Sequence, residues 1–208
     1  MVKIKAVVFD YGNVISLPQQ SSDIPAMGRV CNIEAGLMDK LYWQFRDQYD
    51  LQVLDGPAYW QRVADAAGIT LTTDQVEQAI DLDNQSWARP CMRMLGWVRR
   101  LREHSVRTAV LSNMPMDLRL YLWNSCDWVP EFDHKTFSCE VGAAKPDAAI
   151  YLHCLENLNL PPDEVLFLDD RAPNVEAARK AGMRSEQYTT FEKAAATIPQ
   201  SYLLPPLN

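Results

Sequence analysis

Three short runs of apolar, largely β-branched residues each break off on polar groups: residues 4–10 (IKAVVFD), 106–112 (VRTAVLS) and 165–169 (VLFLD). Such runs predict strands buried on both faces. A weaker run at 184–188 and a short one at 136–138 complete the set. Helical spacing dominates between them. Residues 92–103 place Leu95, Val98 and Leu101 on one face, and residues 147–158 carry Ile150, Leu152, Cys154, Leu155 and Leu158. The helix predicted over 175–181 runs into Gly182, which suits the position after a helix end, and Pro173 suits its first turn. Strands alternating with helices predict an α/β fold with a doubly wound, mainly parallel, Rossmann-like sheet.

Residues 17–90 break this rhythm. They hold no convincing strand and read as helices near 34–50, 57–67 and 73–87, punctuated by Gly56-Pro57 and Gly68, with Thr72 or Thr73 as a cap. The chain therefore divides into a core of residues 1–16 and 91–208 and an all-helical insert of residues 17–90. An insert spliced in directly after a strand end that carries Asp10 is read as a lid over that end rather than as a packing subdomain. The Pro-containing tail, 198–208, is expected to lie along the surface.

Composition narrows the setting. The chain has 208 residues, 48% of them apolar, enough for one large domain or two small ones. A formal charge of −7, with no basic run longer than Arg99-Arg100, speaks against a nucleic-acid partner. No apolar stretch is long enough to span a bilayer, and residues 1–5 lead straight into the first strand, so neither a membrane anchor nor a signal peptide is expected and a cytoplasmic location is. Five scattered cysteines without a C-x-x-C pair predict reduced thiols rather than disulfides or zinc, with Cys31 and Cys154 as packing residues. His104 and His153 are read as helix residues and His134 as a loop residue.

The candidate chemistry lies at the strand ends. The first delivers Asp10, the second Ser112-Asn113, the third Asp169-Asp170, and Lys145 precedes a helix in G-A-A-K-P-D. Carboxyl ends of strands in open α/β sheets are where ligands bind. Three carboxylates converging there call for a cation, and oxygen-only ligation suits Mg²⁺. Lys145, the Ser112 hydroxyl and nearby backbone N–H groups then suit a phosphoryl group. Each piece alone is ordinary: a helix cap, a turn, a solvated lysine. Their order and placement carry the signal.

The motifs V-V-F-D-Y-G-N-V-I, V-L-S-N, A-K-P-D and F-L-D-D-R-A-P-N-V-E-A-A-R-K-A-G, in that order, resemble those of the haloacid dehalogenase-like hydrolase superfamily, mostly phosphatases. The resemblance covers residues 3–16 and 91–190, and the insert falls where such members carry a cap. It implies an Mg²⁺-dependent phosphomonoester hydrolase acting on a small phosphorylated metabolite, sugar phosphates among the candidates, as a monomer or homodimer. Asp10 would be the nucleophile that forms an aspartyl-phosphate. Asp170 would bind the metal directly, Asp169 through a water or hydrogen bond, with Asp10 and the Gly12 carbonyl as further ligands. Ser112 and Asn113 would hold phosphoryl oxygens, and Lys145 would neutralise Asp10 and the phosphate.

Two departures from the family pattern matter. Gly12 stands where the family's general-acid aspartate belongs, so esters with basic leaving oxygens should react slowly, and Asp23, Asp47, Asp50 or Asp55 of the insert are open as substitutes. Asn174 stands where many relatives carry an aspartate, and is expected to orient its neighbours without adding charge. In the insert, Trp43, Phe45, Tyr49, Tyr59 and Trp60 read mainly as helix–helix core, whereas Arg46 is expected to face the cleft and bind substrate. The rivals are a metal-independent haloacid dehalogenase, opposed by Asp169-Asp170, and a catalytically weak phospholigand-binding or regulatory member, to which Gly12 gives some weight and which the retention of Asp10, Ser112, Lys145 and Asp170 opposes.

Overall fold

The computed structural model describes residues 3–207; Met1, Val2 and Asn208, at the ends of the two expected core segments, lie outside the described residues. The chain enters as strand β1 (Ala6–Phe9), makes a tight turn over Tyr11–Ile15, and leaves the sheet for four helices: α1 (Asp23–Cys31), α2 (Ala35–Asp50), α3 (Gly56–Ala67) and α4 (Thr73–Trp87). It returns through α5 (Met92–Glu103), β2 (Arg107–Ser112), α6 (Met116–Ser125), β3 (His134–Phe137), the single turn α7 (Ser138–Val141), α8 (Ala148–Leu158), β4 (Val165–Asp169), α9 (Ala172–Lys180), β5 (Arg184–Gln187) and α10 (Phe191–Tyr202). All strand pairs are parallel, in the order β3-β2-β1-β4-β5. The winding reverses at β1, which puts the crevice at the carboxyl ends of β2, β1 and β4.

Both faces of the sheet are covered, which is why its strands read as continuous apolar runs. Val7, Phe9, Val110, Leu166 and Leu168 pack against α5, α6 and α10. Ala6, Val8, Ala109, Leu111, Val165 and Phe167 pack against α8 and α9 on the other side. The four inserted helices close around a separate apolar cluster that includes Met27, Met38, Tyr42, Tyr59, Trp60 and Val63. Ser16 and Pro90 pair in an isolated bridge, so the chain leaves for the bundle and returns from it side by side.

Several elements differ from the sequence reading, each for a visible reason. Helix α1 was not foreseen because Pro25 and Gly28 interrupt it; Gly28 is needed where a Cβ would come within 2.8 Å of the Ile33 carbonyl. Helix α6 is apolar on most sides and shows no stripe to read. His134 opens edge strand β3 rather than sitting in a loop. The tail is not a surface strip: it continues α10, buries Ile198, Leu204 and Leu207, and receives a hydrogen bond from Trp97 Nε1 at the Pro205 carbonyl (2.9 Å). Thr72 is the α4 cap, in a reciprocal arrangement with Gln75. Cys31 and Cys154 are buried free thiols, as expected.

Candidate active site

The parallel register brings the polar strand ends together. Phe9 lies opposite Leu168 and Val110, so Asp10 emerges beside Asp169 on one side and next to the end of β2 on the other. Oxygens of Asp10, Asp169 and Asp170 lie within 4.8 Å of one another. Lys145 is buried between two of them, with Nζ 2.7 Å from Asp10 Oδ1 and 2.7 Å from Asp169 Oδ2. Burial opposes the lysine's charge, but Asp10 and Asp169 hold its pKa above the ordinary value. Burial pushes the Asp10 carboxyl up from 3.8 to about 7; Lys145 counteracts this, while Asp169 and Asp170 add to it. One ammonium against three carboxylates leaves an excess of negative charge around oxygen donors alone, the chemistry that fits a hard divalent cation.

The three carboxylates are not equivalent. Asp169 is fully buried, and its two oxygens accept from Lys145, the Arg171 N–H (2.8 Å) and both-sided contacts with Asn174 Nδ2 (3.0 Å each). Its acceptor capacity is largely used, so it orients the cluster. Asp170 is half-buried on the cavity wall, where Asn13 Nδ2 donates to Oδ2 (2.8 Å). Asp10 Oδ1 accepts from Tyr11 N (2.6 Å) as well as Lys145. Asn174 thus contacts both oxygens of Asp169 without adding charge to the cluster.

A cavity of about 480 Å³ opens over the cluster and reaches to the helical bundle. Asp10, Gly12, Ser112, Asn113, Lys145 and Asp170 all line its sheet side; Asp169 lies beneath them and is not exposed to it. Asn113 clasps Lys145 through its side-chain amide, accepting from the Lys145 N–H (2.8 Å) and donating to its carbonyl (2.9 Å). That side chain positions the lysine loop. The opposite wall is one face of α2, Trp43, Arg46, Asp47 and Asp50, at helical spacing, joined by Trp87. Of the four candidate acids, Asp47 and Asp50 border the cavity, whereas Asp23 pairs with Arg89 and Asp55 caps α3.

Arg46 borders the cavity, but the residue is only 6% exposed and its guanidinium is engaged. Nε pairs with Asp50 (2.7 Å), and one terminal nitrogen contacts both oxygens of Asp83 (3.1 and 3.0 Å) and the Tyr42 hydroxyl. Burial works against its charge, and Asp50 and Asp83 hold its pKa well above normal. Tyr49, Tyr59 and Trp60 are core, as expected; Trp43 is half exposed at the cavity.

Two residues at the site were not singled out by sequence. Asn13 adopts φ 61°, a left-handed conformation that asparagine tolerates better than most residues, and this turns its amide onto Asp170. An Asn directly after a glycine in the strand-end turn was the available signal. Trp87 covers Gly12: a Cβ there would meet the indole at 3.4 Å. Gly12 itself has φ −61° and ψ 129°, open to any residue, so its backbone does not require glycine, and a Cβ would make only an ordinary contact with the indole. Trp87 is held by its Nε1, which donates to Tyr42 Oη (3.0 Å), and by its carbonyl, which accepts from Tyr11 Oη (2.6 Å). Nothing in the linear sequence ties position 87 to position 12.

The crevice and its carboxylate cluster define an α/β enzyme built around a strand-end aspartate. A family model described as haloacid dehalogenase-like hydrolase matches residues 4–182, and the chain belongs to that family. It is similar to bifunctional epoxide hydrolase 2 of Sus scrofa, 27% identical over 198 residues, which cover 86% of this chain and 35% of that protein. Over 83 residues, 40% of this chain and 38% of the relative, it is 32% identical to a phosphorylated carbohydrates phosphatase of Thermotoga maritima. The chain spans about a third or less of the length of the first curated relatives it matches. Among solved structures, a HAD family enzyme of Bacteroides thetaiotaomicron in complex with magnesium and inorganic phosphate superposes with a TM-score of 0.73, at 20% identity over 89% of this chain and 94% of that one. The L-2-haloacid dehalogenase of Xanthobacter autotrophicus with covalently bound chloropropionic acid gives 0.67, at 20% identity over 98% and 85%. These two likenesses establish a shared fold. Among the described residues no helix is long and apolar enough to cross a membrane.

Proposed function

We propose that this chain is a magnesium-dependent phosphomonoester hydrolase that acts on a small phosphorylated metabolite through an aspartyl-phosphate on Asp10. The observation that carries the reading is the cluster of Asp10, Asp169 and Asp170 around a single buried lysine. Asp10, Asp170 and the Gly12 carbonyl would hold Mg²⁺, which when bound supplies positive charge to the phosphoryl oxygens. A relative that acts on phosphorylated carbohydrates and a fold neighbour carrying magnesium and phosphate lend support.

Lys145 and the Tyr11 N–H fix Asp10 Oδ1, which leaves Oδ2 as the attacking oxygen. Its bond to phosphorus forms as the ester oxygen leaves; water then cleaves the acyl phosphate and returns the carboxylate. Ser112 and backbone N–H groups around Asn113 would hold phosphoryl oxygens, while Lys145 balances the charge on Asp10 and the transferring group. The bundle would serve as a cap, with the Trp87 indole beside Gly12. Leaving-group protonation is then unassisted from that position, and aryl, acyl or anomeric phosphates are favoured.

The dehalogenase alternative gives Asp170 no task, since halide displacement needs no cation, although Asp169 would still hold Lys145. The test is release of p-nitrophenol from its phosphate, with and without Mg²⁺, by wild type and Asp10→Asn. Turnover that needs both the metal and Asp10 supports the proposal. Halide release from haloacids without metal would overturn it, and binding of phosphate esters without turnover would point to a phospholigand-binding member.

A further inference from the structure

The cavity has two electrically different ends. Its sheet end is equipped for phosphate, with Lys145 buried beneath it and Arg171 on its rim. Its bundle end is acidic. Asp47 and Asp50 border the cavity there, and Asp83 lies directly behind Arg46, itself 1% exposed. Among the described residues Arg46 is the one cation of that wall, and it is already bonded to Asp50 and Asp83. One guanidinium against three carboxylates leaves this end net negative, with Asp47 and Asp50 facing the leaving group and Asp83 buried behind them. Asp117, at the start of α6, lies close by and accepts from Tyr49 Oη (2.8 Å), so α6 adds no cation to offset them; its Arg119 pairs with Glu140. The remaining contact surface of this end is apolar: the Trp43 and Trp87 indoles and Leu118.

We infer that the ester accepted by this cavity carries an uncharged or cationic leaving group, and that the wall formed by Asp47 and Asp50, backed by buried Asp83, turns away anionic ones. The inference rests on the phosphomonoesterase reading and narrows its substrate class. Phospho-carboxylic acids, bisphosphates and nucleotides are disfavoured; neutral hydroxylated or aromatic alcohols and amino alcohols fit. The physical basis is like-charge repulsion in a cleft with low-dielectric walls, where a charge acts over longer distances than in water. Arg46 cannot relieve it, because turning its guanidinium toward an anion would leave buried Asp83 with only the Tyr42 hydroxyl as a side-chain donor and no counter-charge.

A matched pair of aryl phosphates tests this. Para-carbamoylphenyl and para-carboxyphenyl phosphate are alike in shape and differ by one charge remote from phosphorus. At low salt kcat/KM for the neutral ester is expected to exceed that for the anionic one by about tenfold, the order of magnitude for one added charge at close range. Asp47→Asn, on the exposed edge of the wall, is expected to lower the ratio about threefold, and high salt to compress it further. A general structural defect would slow both esters alike and leave the ratio unchanged. Equal turnover of the two esters by an enzyme that still depends on Asp10 would overturn the inference and leave the hydrolase reading standing. A ratio unaffected by both Asp47→Asn and Asp50→Asn would also overturn it. Absence of turnover on either ester would remove the hydrolase reading and the inference with it.

Discussion

Replacing Arg46 by methionine separates a substrate-binding arginine from a structural one. The side chain keeps most of its apolar volume, but the guanidinium is lost from between Asp50 and Asp83. Asp83 retains only the Tyr42 hydroxyl (2.6 Å) as a side-chain donor to its carboxylate, and Asp50 loses the partner at 2.7 Å. Stranding a buried charge by removing its partner typically costs about 3–5 kcal/mol. For a chain of this size that converts to a fall in Tm of about 6–20 °C. The loss should show in urea or thermal unfolding followed by tryptophan fluorescence. Arg46→Met/Asp83→Asn keeps an acceptor for Tyr42 while removing the stranded charge, so the double variant should recover about 1–3 kcal/mol relative to additivity. KM for p-nitrophenyl phosphate should change far less than stability in the double variant. The reasoning fails if Arg46→Met costs under about 1 kcal/mol yet raises KM tenfold, since Arg46 would then be binding substrate.

Three further outcomes follow from the same geometry. Asn13→Gly keeps the left-handed turn and deletes only the amide that holds Asp170, so Mg²⁺ affinity, read from metal-dependent thermal stabilisation, should fall about tenfold with the metal-free Tm little changed; equal affinity would show that Asp170 needs no such support. Gly12→Asp, whose Cβ would sit at ordinary contact distance (3.4 Å) from the Trp87 indole, should raise turnover of alkyl phosphates more than that of aryl phosphates; equal gains on the two classes would refute the missing-acid argument. The last concerns pH. Burial raises the Asp10 pKa from 3.8 to about 7 in the metal-free chain, so this group's contribution to stability is present below about pH 4 and is lost as pH rises through about 7. Metal-free wild type should therefore lose stability relative to Asp10→Asn across that interval, as measured by urea unfolding at several pH values, and a constant difference would contradict the assignment of the shift.

Much of this protein was legible locally. Strands with both faces buried must be apolar throughout, so residues 4–10, 106–112 and 165–169 announced the sheet and delivered Asp10, Ser112 and Asp169-Asp170 to one edge. The α4 cap at Thr72 and the α9 boundary at Gly182 follow from backbone chemistry within a few residues. Helices α1 and α6 escaped because their sequences carry no clean stripe: Gly28 serves a close backbone approach, and α6 is apolar on most sides. The tail escaped because Leu204 and Leu207 are ordinary apolar residues until α5 offers them a surface.

The sequence by itself determined the fold class and the candidate phosphoryl-transfer residues, because each is encoded by a strand end or a short motif read along the chain. Tertiary structure decided how those residues are used. It saturated Asp169 and left Asp170 on the cavity wall, and it turned Asn113 onto Lys145. It also bound Arg46 to Asp50 and Asp83 and laid Trp87 across Gly12. The physical reason is that the burial of a charge, the saturation of a hydrogen-bonding group and the volume beside a glycine depend on residues tens of positions away, brought near only when the bundle packs over the sheet.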